Sequence, residues 1–151
     1  MKNGTCIVAT DLGAESGRVV LCRWTGAEGI LEEVHRFPNS AREEAGHLVW
    51  DLDRLWQEVL KGLRRAASKA GGRIASVGVD GWGVDYVLLD RTGNRIGRAY
   101  CYRDARNLPQ MERAFTLLPQ KRMYEITGIQ FLPFNTVFQL MAHAAEFPSE
   151  W

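Results

Sequence analysis

No stretch of this 151-residue sequence approaches the roughly 20 consecutive apolar residues that a membrane-spanning helix requires. The lead Met1-Lys2-Asn3-Gly4 precedes an apolar run far too short for a signal peptide, and Asp11 interrupts it. The expected compartment is therefore the cytoplasm, with no membrane partner. A surplus of basic charge is also missing. With 19 Lys and Arg against 18 Asp and Glu, the net charge of +1 supplies no field for nucleic acid or an anionic surface. Cysteine is sparse: Cys6, Cys22 and Cys101 form no C-x-x-C pair and are odd in number. His35, His47 and His143 are scattered, with no partner at metal-ligand spacing, so a zinc or redox centre is not expected. The sequence has no G-x-x-x-x-G-K-[ST] phosphate loop, no third glycine completing a dinucleotide fingerprint, no internal repeat and no low-complexity tract.

What remains is an ordinary globular composition, 46% hydrophobic and 25% charged, long enough for one domain that buries about two-thirds of its unfolded surface. Cys6-Ile7-Val8-Ala9 and Val19-Val20-Leu21-Cys22 read as two strands of a hairpin, and Ile30 to Phe37 as a third strand with one wet face. Pro38 to Gly46 reads as a charged loop, with Leu48-Val49-Trp50 a short apolar return. From Leu52 the apolar residues Leu55, Trp56, Val59, Leu60, Leu63, Ala66, Ala67 and Ala70 recur at helical period. Asp51 or Asp53 is placed to cap that helix, and Gly71-Gly72 to stop it. Strands are expected over Ile74 to Asp80, Val84 to Asp90 and Arg95 to Tyr100. Helices follow over Leu108 to Leu118, Lys121 to Thr127 and Val137 to Ala145. Three strands, a helix and a strand form the opening of a ribonuclease H-like half-domain, an α/β arrangement with a mixed sheet and flanking helices. A half of that kind needs at least one more strand, so the sheet is expected to be incomplete and open to self-association.

The first turn carries the most chemistry. Asp11 ends the first strand, and Gly13, Ala14, Glu15, Ser16 and Gly17 lead to Arg18. Glycines permit φ > 0 and leave no side chain over the turn, so its N–H groups can face a phosphate. Asp11 suits Mg²⁺, Ser16 brings a hydroxyl, and Arg18 a planar donor fork. The same residues also describe a plain glycine-rich hairpin with a solvated Asp and Arg.

Gly81-Trp82-Gly83 breaks two strands where a sheet edge opens to a cleft. Glycine there lets a ligand approach the backbone, Trp82 offers a face to the C–H side of a sugar, and Asp85 can accept from its hydroxyls. A core Trp at a bulge with a solvated Asp is the alternative. Tyr102-Arg103-Asp104-Ala105-Arg106 mixes donors, acceptors and an aromatic as a polyol site does. Equally, it is a solvated helix start with Asp104 as cap and Arg106 paired to it. Phe131 either walls a ligand or seals the core.

Asp11-x-Gly13-x-x-Ser16-x-Arg18 resembles the first phosphate motif of the FGGY carbohydrate kinases, which share the actin/Hsp70/hexokinase-type ATPase fold. Three further collinear stretches strengthen the resemblance: Val79 to Tyr86, Tyr102 to Arg106, and Gly128 to Thr136. It implies ATP and Mg²⁺ as cofactors, with the phosphates held at residues 13–18 and the metal at Asp11. A ketose substrate, best matched by L-rhamnulose, would take its phosphoryl group on the 1-hydroxyl and touch Gly83. Trp82, Asp85, Arg103 and Phe131 extend that pocket on physical grounds. Two residues depart from the family pattern: Gly81 stands where Thr is usual, and Thr10 where an aliphatic residue is usual.

The family's general base, an Asp, is expected beyond Trp151. Residues 1–151 would then be a partial N-terminal domain, without catalytic residues of its own, lacking the second half of that domain and the C-terminal lobe. A xylulose- or glycerol-type kinase is the near alternative, and a non-catalytic phosphate- and sugar-binding module the more distant one.

Overall fold

The computed structural model describes residues 4–150, so the lead residues Met1 to Asn3, and Trp151, lie outside it. Two compact units divide the chain: residues 1–40 with 51–83, and residues 41–50 with 84–151.

In the first unit, the apolar runs at Cys6 to Ala9 and Val19 to Cys22 make strands β1 (Thr5–Leu12) and β2 (Ser16–Trp24), burying Cys6, Val8, Val19 and Leu21 at alternate positions, and β3 (Gly29–Pro38) follows. β1 and β2 pair antiparallel with Asp11 opposite Arg18. β2 and β3 pair antiparallel with Gly17 opposite Phe37, and a bulge at Val19/Val20 shifts the register. Helix α1 (Leu52–Lys69) then carries the chain to a strand that runs parallel to β1, Ser76–Gly81. The resulting sheet order, third strand, β2, β1, Ser76–Gly81, is that of the opening of a ribonuclease H-like half. The Ser76–Gly81 strand lies at the sheet edge, with Val77 and Val79 51% and 68% exposed.

Asp51 caps α1, its Oδ1 accepting from the Arg54 backbone N–H at 3.0 Å. Gly71 and Gly72 stop it at φ 64° and 77°, and the Gly72 N–H closes on the Ala67 carbonyl at 2.8 Å. The helix's apolar stripe lies on the sheet: Ala66 and Ala70 join Cys6, Val8, Val19, Leu21 and Val34, while Leu55 and Val59 join Phe37. Gly62 allows this close approach, since a Cβ there would sit 2.3 Å from the Val19 side chain. Trp56, expected on the stripe, is 56% exposed, because its position falls on the stripe's outer edge.

The second unit begins with a hairpin where a loop was expected. β4 (Arg42–Glu44) and β5 (His47–Val49) are joined by Ala45 and Gly46 at φ 51° and 82°, a two-residue turn of the type that suits strand twist. The expected strands 84–90 and 95–100 shrink to β7 (Leu88–Leu89) and β8 (Arg95–Ile96), taking the Ser76–Gly81 strand as β6. The reason lies in Val84 to Tyr86, whose polar groups are used elsewhere. The Val84 carbonyl accepts from Thr136 Oγ1 at 2.7 Å and Gln139 Nε2 at 3.1 Å, and the Tyr86 hydroxyl meets His143 Nδ1 at 3.0 Å. Helices α2 (Asn107–Leu117), α3 (Gln120–Thr127) and α4 (Thr136–Glu146) follow close to expectation, with α3 ended by Gly128 at φ 64°. A short 3₁₀ turn, Pro148–Glu150, comes after them. Among the described residues no helix is long and apolar enough to cross a membrane.

Candidate functional site

The β1–β2 turn is held tightly, and its glycines serve a purpose other than the one expected. Neither Gly13 nor Gly17 has positive φ. Instead, a Cβ on Gly13 would lie 2.8 Å from the Ser16 carbonyl oxygen, and one on Gly17 would lie 2.2 Å from the buried Phe37 ring. The turn needs glycine for close approach. Gly13 N–H closes it by donating to the Ser16 carbonyl at 3.1 Å.

At the mouth of the turn Asp11 and Arg18 face each other across the ladder. Arg18 Nε and Nη2 both reach Asp11 Oδ2 at 2.8 Å, so the fork engages one carboxylate oxygen only. Both side chains remain well exposed. On β3, Arg36 stands in register with Arg18 and donates from Nη1 to Ser16 Oγ at 3.3 Å. Its other nitrogens hold Glu33 at 2.5 and 3.0 Å, which lowers the Glu33 carboxyl and raises the Arg36 guanidinium from their ordinary pKa values. Arg36 escaped the sequence reading because it lies 18 residues beyond Arg18 and only strand register unites them. Asp80 on β6 is likewise in register with Asp11. A row of two carboxylates and two guanidiniums thus crosses the sheet beside the turn.

The two family departures have simple packing. Thr10 is 1% exposed and sits like an aliphatic residue, its Oγ1 without a hydrogen-bond partner. A Cβ on Gly81 would meet the Leu12 Cβ at an ordinary 3.7 Å.

Of the residues expected at the sugar, Trp82 and Gly83 lie in the first unit. Trp82 is half-buried against the cluster of Phe37, Leu55 and Val59. Gly83 is exposed, and a Cβ built on it has open space for 4 Å. The other three lie in the second unit. Asp85 is half-buried and accepts from the Trp50 indole N–H at 2.5 Å, so the solvated alternative for it does not hold. Arg103 is exposed, its guanidinium 5.2 Å from the Tyr102 ring centre. Phe131 is half-buried and meets Phe115 edge-on at 5.1 Å.

Asp104 and Arg106 differ from the solvated, mutually paired helix start. Both are buried. Asp104 accepts from the Leu48 and Arg106 backbone N–H groups at 2.6 and 2.9 Å. The Arg106 guanidinium instead lies 3.5 Å over the Tyr100 ring and 3.6 Å from Glu146. Burial raises both Tyr86 and Tyr100 above the usual phenol range. These groups are committed to one another and build the unit's interior. The three cysteines are free thiols, Cys6 and Cys101 buried, and no group of three or more metal-binding side chains occurs among the described residues.

Residues 6–144 match the model of the FGGY family of carbohydrate kinases, N-terminal domain. The chain is 46% identical over 145 residues to a rhamnulokinase of Mannheimia succiniciproducens, covering 95% of this chain and 30% of that protein. A rhamnulokinase of Enterobacter sp. is 47% identical over 143 residues, covering 93% and 29%. The chain therefore spans about 30% of the length of these curated relatives. Among solved structures, gluconate kinase from Lactobacillus acidophilus superposes with a TM-score of 0.82 at 14% identity, over 97% of this chain and 30% of that one. A Plasmodium falciparum glycerol kinase solved with ADP gives 0.76 at 15%, over 97% and 30%.

Proposed function

Because the chain belongs to the FGGY family of carbohydrate kinases, matching its N-terminal domain, we propose that it is the phosphate- and ketose-binding part of an ATP-dependent, cytoplasmic sugar kinase acting on L-rhamnulose. The observation that carries the reading is the Asp11–Arg18 pair at the mouth of a glycine-bearing turn. The identity of 46–47% to two rhamnulokinases supports the choice of sugar.

The residues fit a magnesium nucleotide. Asp11 offers a hard carboxylate oxygen, and its contact with Arg18 falls wholly on Oδ2, leaving Oδ1 to face a cation. Arg18 and Ser16, with Arg36 behind them, present donors suited to phosphate oxygens. Mg·ATP would supply the transferable γ-phosphoryl group and neutralise the charge that develops on it. Asp11 would hold the metal side, residues 13–18 would orient the phosphates, and Gly83 would let the ketose approach the backbone. Trp82, Asp85, Arg103 and Phe131 complete the proposed sugar contacts. In the same reading residues 1–151 are part of the N-terminal domain. The Asp that takes the proton from the attacking hydroxyl belongs to the remainder of the kinase.

A coupled assay for ADP release by the whole kinase, offered a panel of ketoses and polyols, tests the substrate. L-Rhamnulose should give the highest kcat/KM, ahead of D-xylulose and glycerol. A preference for glycerol or xylulose would keep the family and reject this member.

A further inference from the structure

We propose that Asn39, a residue outside the phosphate motif, is a positioning residue that sets the direction of the phosphate turn; the inference rests on the reading of that turn given above. Asn39 follows β3 and is fully buried. Its Nδ2 donates to the Gly13 carbonyl at 2.7 Å, and its backbone N–H donates to the Glu15 carbonyl at 2.9 Å. One residue thus anchors the first and third members of the Gly13-Ala14-Glu15 turn.

The consequence follows from peptide geometry. A trans peptide holds its N–H opposite its C=O. With the Gly13 and Glu15 carbonyls drawn to Asn39, the Ala14 and Ser16 N–H groups are turned away from it. A glycine-bearing turn without that anchor samples many orientations, and fixing one beforehand removes an entropic cost from binding. Phe37 completes the brace, its ring against Gly17. Asn39 also has a cost to offset, since its Oδ1 is buried without a partner. The side chain's hydrogen bonding is therefore done by its donor, Nδ2 to the Gly13 carbonyl. An apolar side chain of similar size would satisfy packing alone.

The test uses the whole kinase with Asn39→Ala and the near-isosteric Asn39→Asp, and Arg18→Gln as a reference for the turn itself. Loss of one such hydrogen bond should raise the KM for Mg·ATP about three- to tenfold, with the ketose KM changed much less. The Asn39→Asp variant adds a readout that packing would not move. Its carboxylate cannot donate to Gly13, whereas its protonated form can. The ratio of its Mg·ATP KM to that of the unmodified enzyme should therefore fall as pH is lowered. If Arg18→Gln raises the Mg·ATP KM and both Asn39 variants leave it unmoved, or shift both substrates equally, Asn39 is only structural and the inference is overturned. If Arg18→Gln also leaves it unmoved, the turn does not hold nucleotide, and the functional reading fails with the inference.

Discussion

Two hairpins in this chain have an aspartate at the end of their first strand and a glycine in the turn, yet they are built on opposite plans. In the β7–β8 hairpin, Asp90 spends its carboxylate on its own turn. Oδ1 accepts from the Thr92 N–H, the Thr92 hydroxyl and the Asn94 N–H at 2.8, 2.7 and 2.9 Å, and Oδ2 from Asn94 Nδ2 at 3.3 Å. The Thr92 and Asn94 hydrogen bonds bring its pKa down to about 2. Gly93 is needed there for its φ of 87°. In the β1–β2 hairpin, Asp11 makes no such bonds to the turn, and the turn is instead braced by Phe37 near the end of β3 and by Asn39 just beyond it. A turn that satisfies itself has little left for a ligand. One that is held from outside leaves its aspartate carboxylate exposed.

The sharpest way to break this comparison is to neutralise each aspartate in the whole kinase. Asp11→Asn should lower turnover at saturating ATP by about 10²- to 10³-fold, the scale for removing one group that stabilises developing charge. Asp90→Asn should leave turnover unchanged and lower the melting temperature. Equal turnover by the two variants would remove the distinction.

Smaller effects sharpen the same contrast through the glycines. Gly17→Ala drives a methyl group into the Phe37 ring and should destabilise the fold by about 1–3 kcal/mol. Gly93→Ala has open space and suffers only the backbone strain of positive φ, about 1 kcal/mol. Denaturant unfolding measures both. A smaller cost at Gly17 than at Gly93 would mean that the Phe37 ring yields to a methyl group and does not brace the first turn.

The sequence disclosed those parts of the molecule whose causes are local. The Asp11–Arg18 turn, helix α1 with its Asp51 cap, and the Gly128 stop all depend on residues a few positions apart. What it concealed depends on register or on distant partners. Asn39 and Phe37 belonged to a charged loop and a strand end, with nothing in their neighbourhood to show that they meet Gly13 and Gly17. Arg36 joined the site only through its pairing with Arg18. The β4–β5 hairpin was missed because its turn uses Ala45 and Gly46 rather than a stronger turn pair, and its first strand, Arg42–Glu44, is wholly charged. The stretch Val84 to Tyr86 looked like a strand by composition, but Thr136, Gln139 and His143, more than 50 residues away, claim its polar groups. Asp104 and Arg106 read equally as part of a polyol site or as a solvated pair at a helix start, and burial sent them to different partners.

The central claim is that the braced hairpin receives the nucleotide phosphates and the self-satisfied one does not. Hydrogen–deuterium exchange of the whole kinase, with and without a magnesium complex of a non-hydrolysable ATP analogue, tests it most directly. Peptides covering residues 11–18 should exchange more slowly with the nucleotide present, while peptides covering 88–96 exchange at the same rate. Unchanged exchange across 11–18 at saturating nucleotide would contradict the account.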